Sequence, residues 1–132
     1  MNDYKTLNKS KFCLQYHLIF VCKYRKKLLM KYGSEIKQIL YDISNKADFD
    51  IIEMEVDKDH IHFMISASPK VSVSMIVRKL KSESTINIWK RHFSELSKVI
   101  WNKIEFWSDG YFCSTIGQVS KETLKRYIRN QG

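Results

Sequence analysis

The chain has 132 residues, with 23 Lys and Arg against 14 Asp and Glu, a formal net charge of +9 and 44% hydrophobic residues. That is one domain's length with enough apolar side chains for a core, and one Pro and four Gly leave little room for long loops or disorder. The charge points to a polyanionic partner, nucleic acid or an anionic membrane surface. No apolar run reaches the ~20 residues of a spanning helix, and the N-terminal stretch MNDYKTLNKSK lacks the apolar core of a secretion signal. Cys13, Cys22 and Cys113 are odd in number and far apart, which suggests neither a disulfide framework nor a thiolate zinc site. A reducing cytoplasm is the expected setting.

In chain order, FCLQYHLIFV (Phe12 to Val21) is aromatic and β-branched and reads as a buried strand. The basic segment CKYRKKLLMKYG follows. A helix is expected behind Ser34 as cap, with Ile36, Ile39, Leu40 and Ile43 at helical spacing. In DIIEMEV, Ile52, Met54 and Val56 alternate with Glu53 and Glu55, and after the polar DKD the run HIHFMISA again has period two. The two runs read as a hairpin. Pro69 breaks the chain before a second long helix with an apolar stripe of Val73, Ile76, Val77, Leu80 and Ile88. KIEFW and YFCSTIG are short strand candidates. A last helix is expected over about residues 119–131, with Ser120 as cap and Glu122 in its first turn. The order β-α-β-β-α-β plus a final helix is that of a ferredoxin-like α+β sandwich over residues 1–132, with two helices on one sheet face and the other free for a ligand or a second subunit.

Alternate residues of a strand share a face, so His60 and His62 point the same way with Cα atoms ~6.5 Å apart. Two imidazoles at that separation can serve one divalent metal, or they are two surface histidines. Of the other histidines, His17 lies within the first strand and reads as packed or hydrogen-bonded, and His92 reads as part of a solvated helix face. Asp57 and Asp59 could lend a carboxylate or serve as turn residues. Tyr127 and Gln131 are four apart on one helical face. Leu124 and Ile128 lie at helical spacing too, so periodicity alone makes Tyr127 a packed residue and does not bring it to the histidines. Basic residues cluster at Lys23, Arg25, Lys26 and Lys27 and at Arg78, Lys79 and Lys81, with Tyr24 and Trp89 interleaved. That combination suits phosphate contact and base stacking, and it also suits solvated faces.

Together these segments resemble the single-tyrosine, HUH-type transposases of small insertion sequences, the IS200-like transposase family. His60-Ile61-His62 is the His-hydrophobic-His triplet. YHLIFVCKYRKKLL is similar to the family's first strand and the Lys-Tyr-Arg segment after it, and IIEMEVDKDHIHFMI to its Asp-x-Asp-His-x-His pattern. KSEST stands where members carry Lys-Gly-x-Ser-Ser, with Ser82 in place of the glycine. FWSDGYFCSTIG resembles the Trp-containing turn, and YIRNQ the tyrosine helix.

The resemblance implies an RRM-like ferredoxin fold, a homodimer and a divalent metal, Mg2+ or Mn2+. It further implies His60, His62 and Gln131 as metal ligands and Tyr127 as the nucleophile that cleaves and rejoins single-stranded DNA with hairpin ends. The tyrosine helix would complete the site of its own or the other subunit, with Gly117 as a hinge. Lys23, Arg25, Arg78, Lys81 and Ser84 are the expected DNA contacts. Two other readings stand beside this one: a non-catalytic nucleic-acid-binding module, and a metal-dependent nuclease using water.

If two or three phosphates are held by these cations, affinity for single-stranded DNA should fall roughly tenfold between about 50 and 200 mM salt. Filter binding across that range checks it, and a flat response would remove the basic clusters from the interface.

Overall fold

The structure, a computed structural model, describes residues 14–101, 103–115, 126 and 128–130. Its elements are β1 (Leu14–Val21), a short 3-10 turn (Lys23–Arg25), α1 (Leu29–Asn45), β2 (Phe49–Val56), β3 (His60–Ala67), α2 (Val73–Arg91), α3 (Phe93–Val99) and β4 (Phe112–Thr115). The four strands form one sheet in the order β2-β3-β1-β4, with every neighbouring pair antiparallel. This is the expected ferredoxin-like α+β arrangement. Of the expected final helix only Arg126 and residues 128–130 are described, with Arg126, Ile128 and Arg129 helical.

Alternation decides the two sheet faces. Leu18 and Phe20 of β1, with Ile61, Phe63 and Ile65 of β3, are at most 1% exposed and join Ile36, Leu40, Ile76 and Leu80 of the helices in the core. The opposite face carries His17, Ile19 and Val21 of β1 and His60 and His62 of β3. Its centre is not bare: Ile19, flanked in register by His62 and Phe112, and Val21 are 1% and 2% exposed.

Three details depart from the sequence reading. The helix α1 begins at Leu29, not behind Ser34, which lies inside it. Leu29, Tyr32 and Gly33 extend the buried stripe ahead of Ile36, and the Leu29 amide donates to the Lys58 carbonyl at 3.0 Å, so the hairpin loop supplies an acceptor that a cap side chain does not. Gly33 lets α1 lie close against β2: a Cβ there would stand 3.0 Å from Val56 Cγ1.

In β2 a bulge separates Ile51 from Glu53 in the pairing with β3. The extra residue shifts the alternation. Ile51 takes the core position, and Ile52, expected inside, is 42% exposed.

KIEFW is not a strand; only Trp107 pairs, in a single bridge with Cys22. The ladder stops there because Tyr24 and Arg25 turn away in the left-handed region (φ 58° and 52°), and because the Glu105 carbonyl accepts the Trp89 indole N–H at 2.8 Å. Trp89 is therefore buried and is no stacking platform for a base. None of the described helices is long and apolar enough to cross a membrane.

Ser84 is fully buried, its hydroxyl donating to the Lys81 carbonyl and accepting the Trp107 indole N–H at 3.0 Å. Ser84→Ala would leave that indole unpaired and should cost about 1–3 kcal/mol, read as a lower urea midpoint with unchanged slope. An unchanged midpoint would contradict the assignment.

Candidate active site

The Asp57–Asp59 loop ties β3 to the segment after β1. Cys22 N–H donates to the Asp59 carbonyl at 2.8 Å, and Asp57 N–H to the His60 carbonyl at 2.9 Å. A second stitch comes from Ser108, whose amide donates to the Val21 carbonyl and whose hydroxyl donates to the Cys22 carbonyl. The end of β1 is thus held on both sides, and with it the start of β3, where His60 and His62 stand.

His60 and His62 share the face opposite the helices, each with one ring nitrogen engaged. His60 Nδ1 lies 3.0 Å from Asp59 Oδ1. Burial pushes the Asp59 carboxyl up, but its contacts with His60 and with Arg25 outweigh this and hold it below the usual carboxylate value. The carboxylate is thus an acceptor that orients the ring. His62 Nδ1 lies 3.3 Å from His17 Nε2, the two rings meeting edge-on at 68°. Burial and then the neighbouring His62 lower the His17 pKa. Among the described residues, the Nε2 atoms of His60 and His62 face solvated carboxylates, 3.9 Å from Asp57 and 3.4 Å from Glu55.

His17 is the functional candidate that spacing alone missed. It is 45 residues from His62 in sequence, yet β1 pairs with β3 so that Ile19 faces His62 and His17 faces Met64. His17 and His62 are therefore diagonal neighbours on one face. The only cue in the sequence is parity along β1, which becomes useful once the register is known.

His92, expected on a solvated face, joins α2 to α1 instead. Its Nε2 lies 2.8 Å from Glu35, and its ring packs against Tyr32. Burial, followed by Glu95, pushes the Tyr32 phenol up to about 12.

Among the described residues no three or more His, Cys, Asp and Glu are gathered as a metal cluster. His60 and His62 contribute two imidazole nitrogens. Tyr127 and Gln131 lie outside the described residues. Their sequence neighbours Arg126, Ile128 and Arg129 are helical. The Arg25 guanidinium, in contact with Asp59 at 3.4 Å, also donates to the Arg129 carbonyl at 3.5 Å. One cation therefore joins the residue before His60 to the backbone two residues after position 127.

The expected DNA contacts separate. Arg78 is exposed, and it lines one cleft of about 420 Å3 with Lys81, Trp107 and Asp109. Lys23 pairs with Glu105 at 3.4 Å, Arg25 is committed as above, and Ser84 is inside the fold. Lys81 is half-buried, donating to the carbonyls of Ser108 and Gly110. Burial lowers its pKa from 10.5 to about 8, with Asp109 opposing and Lys23 adding to the shift.

The model of the family described as "Transposase IS200 like" matches residues 10–131. The chain is 30% identical over 119 residues to the ISDra2 transposase TnpA of Deinococcus radiodurans, covering 89% of this chain and 84% of that one. It is 31% identical over 134 residues to the transposase for insertion sequence element IS200 of Salmonella typhimurium, covering 99% and 85%. Among solved structures, a crystal structure titled as a transposase from Deinococcus radiodurans R1 superposes with a TM-score of 0.81 at 28% identity, over 91% and 92% of the two chains. The REP-associated tyrosine transposase bound to a REP hairpin shares the fold, with a TM-score of 0.58 at 14% identity over 89% and 62%.

The Lys81 shift has a definite sign. Below about 8 the amine is charged in both states and the fold bears the cost of burying it. Between about 8 and 10.5 the folded chain has released the proton and the unfolded chain has not, so stability rises with pH. Urea denaturation at about pH 7.5 and 9.5 should show wild type gaining stability relative to Lys81→Met; parallel responses would contradict the burial of this charge.

Proposed function

The chain belongs to the IS200-like transposase family, and from that premise we propose that it cleaves and rejoins single-stranded DNA at insertion-sequence ends through a tyrosine intermediate. Tyr127 is the proposed nucleophile. His60, His62 and Gln131 are the proposed ligands of a divalent metal, Mg2+ or Mn2+, in a homodimer acting on DNA with hairpin ends. The observation that carries the reading is the histidine pair. Both rings stand on one sheet face with Nδ1 occupied, by Asp59 and by His17, and with Nε2 directed at solvated carboxylates. A ring whose second nitrogen is engaged in this way is the usual state of a metal-binding histidine, so the donor chemistry fits the ion. Arg25, joining Asp59 to the Arg129 carbonyl, supports a tyrosine helix that belongs beside this pair.

The ion, when bound, supplies positive charge that polarises the scissile phosphate. The protein residues do the rest. A phenol of pKa near 10 is a weak nucleophile at neutral pH, so Tyr127 has to be delivered in line with the phosphorus. Its oxygen gives up the phenol proton to solvent and forms a new bond to phosphorus, the bond to the 3′-oxygen breaks, and that oxygen leaves as a hydroxyl after taking up a proton. One phosphodiester linkage replaces another. A second 3′-hydroxyl can therefore attack the 5′-phosphotyrosine and restore the strand without ATP. Asp59 orients His60, and Arg78 with the basic segment after β1 is proposed to meet the DNA backbone.

Incubation of the chain with hairpin-bearing single-stranded DNA and Mg2+, run on a denaturing gel, should give a covalent protein–DNA adduct. The adduct should disappear in Tyr127→Phe, and His60→Ala should lower its yield by at least about a hundredfold, the scale of removing a key group from a catalytic site. Cleavage persisting in Tyr127→Phe would point to a water-using nuclease. Tight binding with no cleavage in wild type would point to a non-catalytic module.

A further inference from the structure

We propose that His17 is a positioning residue for the histidine pair: it accepts a hydrogen bond from His62 Nδ1–H and so makes His62 Nε2 the atom offered to a metal. This inference rests on the reading of His60 and His62 as ligands, and it goes beyond it by giving a role to a residue of another strand.

Proton placement decides which nitrogen of His62 is available. A neutral imidazole carries one N–H and one lone pair. Between His17 Nε2 and His62 Nδ1, 3.3 Å apart, a single proton is shared. If His17 donates it, neutral His62 carries its own proton on Nε2, directed at Glu55 3.4 Å away, and that nitrogen is closed to a metal. If His62 Nδ1 donates it, Nε2 holds a free lone pair. A metal at His62 Nε2 thus requires His17 to act as acceptor and to carry its proton on Nδ1.

That His17 proton needs an acceptor, and β4 places a hydroxyl-bearing residue opposite His17 in register. Ser114 faces His17 across the β1–β4 pairing, and its hydroxyl is the one buried side-chain polar atom without a hydrogen-bond partner among the described residues. A buried, unpaired hydroxyl is costly unless another state uses it. The Ser114 hydroxyl does not hydrogen-bond to the His17 ring in this structure; a turn of its side chain toward His17 Nδ1–H would give the hydroxyl that use. On the other side of the ring, the Glu55 side chain is 79% exposed and can turn away into water. His60 is oriented differently, by the Asp59 carboxylate. The two proposed ligands therefore have unlike supports, one anionic and one neutral, and the neutral one comes from β1.

The test uses the full chain titrated with Mn2+, with free ion followed by electron paramagnetic resonance, in wild type, His60→Ala, His17→Ala and His17→Gln. Glutamine keeps a side-chain acceptor. We expect His60→Ala to lose binding, and His17→Ala to weaken it about tenfold or more, the usual effect of removing a ligand's orienting partner. His17→Gln should recover most of that loss. Wild-type affinity in His17→Ala, or equal weakening in both His17 variants, overturns the proposal while His60→Ala still upholds the metal site. Mn2+ bound equally by wild type and His60→Ala overturns both. A second measurement does not depend on any variant folding. In the wild-type chain loaded with diamagnetic Zn2+, side-chain 1H–15N spectra should find His62 protonated on Nδ1. Protonation on Nε2 would overturn the proposal.

Discussion

The pairing of β1 with β3 is the constraint on which the site depends. It runs without a break from Leu14 opposite Ala67 to Val21 opposite His60. A slip of one residue would exchange the two faces of β1. It would bring Leu18 and Phe20 out of the core and remove His17 from the side of His62. The apolar core therefore enforces the register, and the histidine pair benefits from an arrangement set by Phe20, Ile61, Phe63 and Ile65. The energy is spread over many buried side chains and the chemistry over a few polar atoms on the reverse face.

The end of β1 shows how this precision is carried into irregular chain. Beyond Val21 the strand cannot continue, because Tyr24 and Arg25 adopt left-handed backbone angles. The backbone groups there find partners in other segments: the Asp59, Lys58 and Phe106 carbonyls accept from Cys22, Leu29 and Lys23, and Ser108 donates to Val21 and Cys22. The Lys-Tyr-Arg segment is consequently fixed against the loop before His60, and Arg25 can meet Asp59 on one side and the Arg129 carbonyl on the other.

Much of the fold was legible because it rests on short-range pattern. Period two in β3, helical spacing in α2 and the break at Pro69 follow from local geometry, and the sheet order follows from the sequence of elements. What escaped was decided at a distance. The bulge at Ile52 responds to β3. The early start of α1 uses a carbonyl from the hairpin loop, and KIEFW fails as a strand because Trp89 claims a carbonyl that a neighbour would need. For the site, His60 and His62 were readable from alternation, whereas His17 required the register of two strands 45 residues apart. The basic clusters were the least legible. Net charge says that a cationic surface exists, but Lys81 and Lys23 turn out to be engaged within the fold, and only their contacts could reveal it.

The central claim is that two imidazoles held through Nδ1 form one half of a metal site completed by the tyrosine helix. A crystal structure of the chain with Mn2+ and single-stranded hairpin DNA, examined by anomalous scattering at the manganese edge, tests it most directly. The account predicts one ion bound through Nε2 of both His60 and His62, with Gln131 as a further ligand and the Tyr127 hydroxyl facing the scissile phosphate. An ion bound elsewhere, or histidines that keep their carboxylate contacts while the DNA is in place, would contradict it.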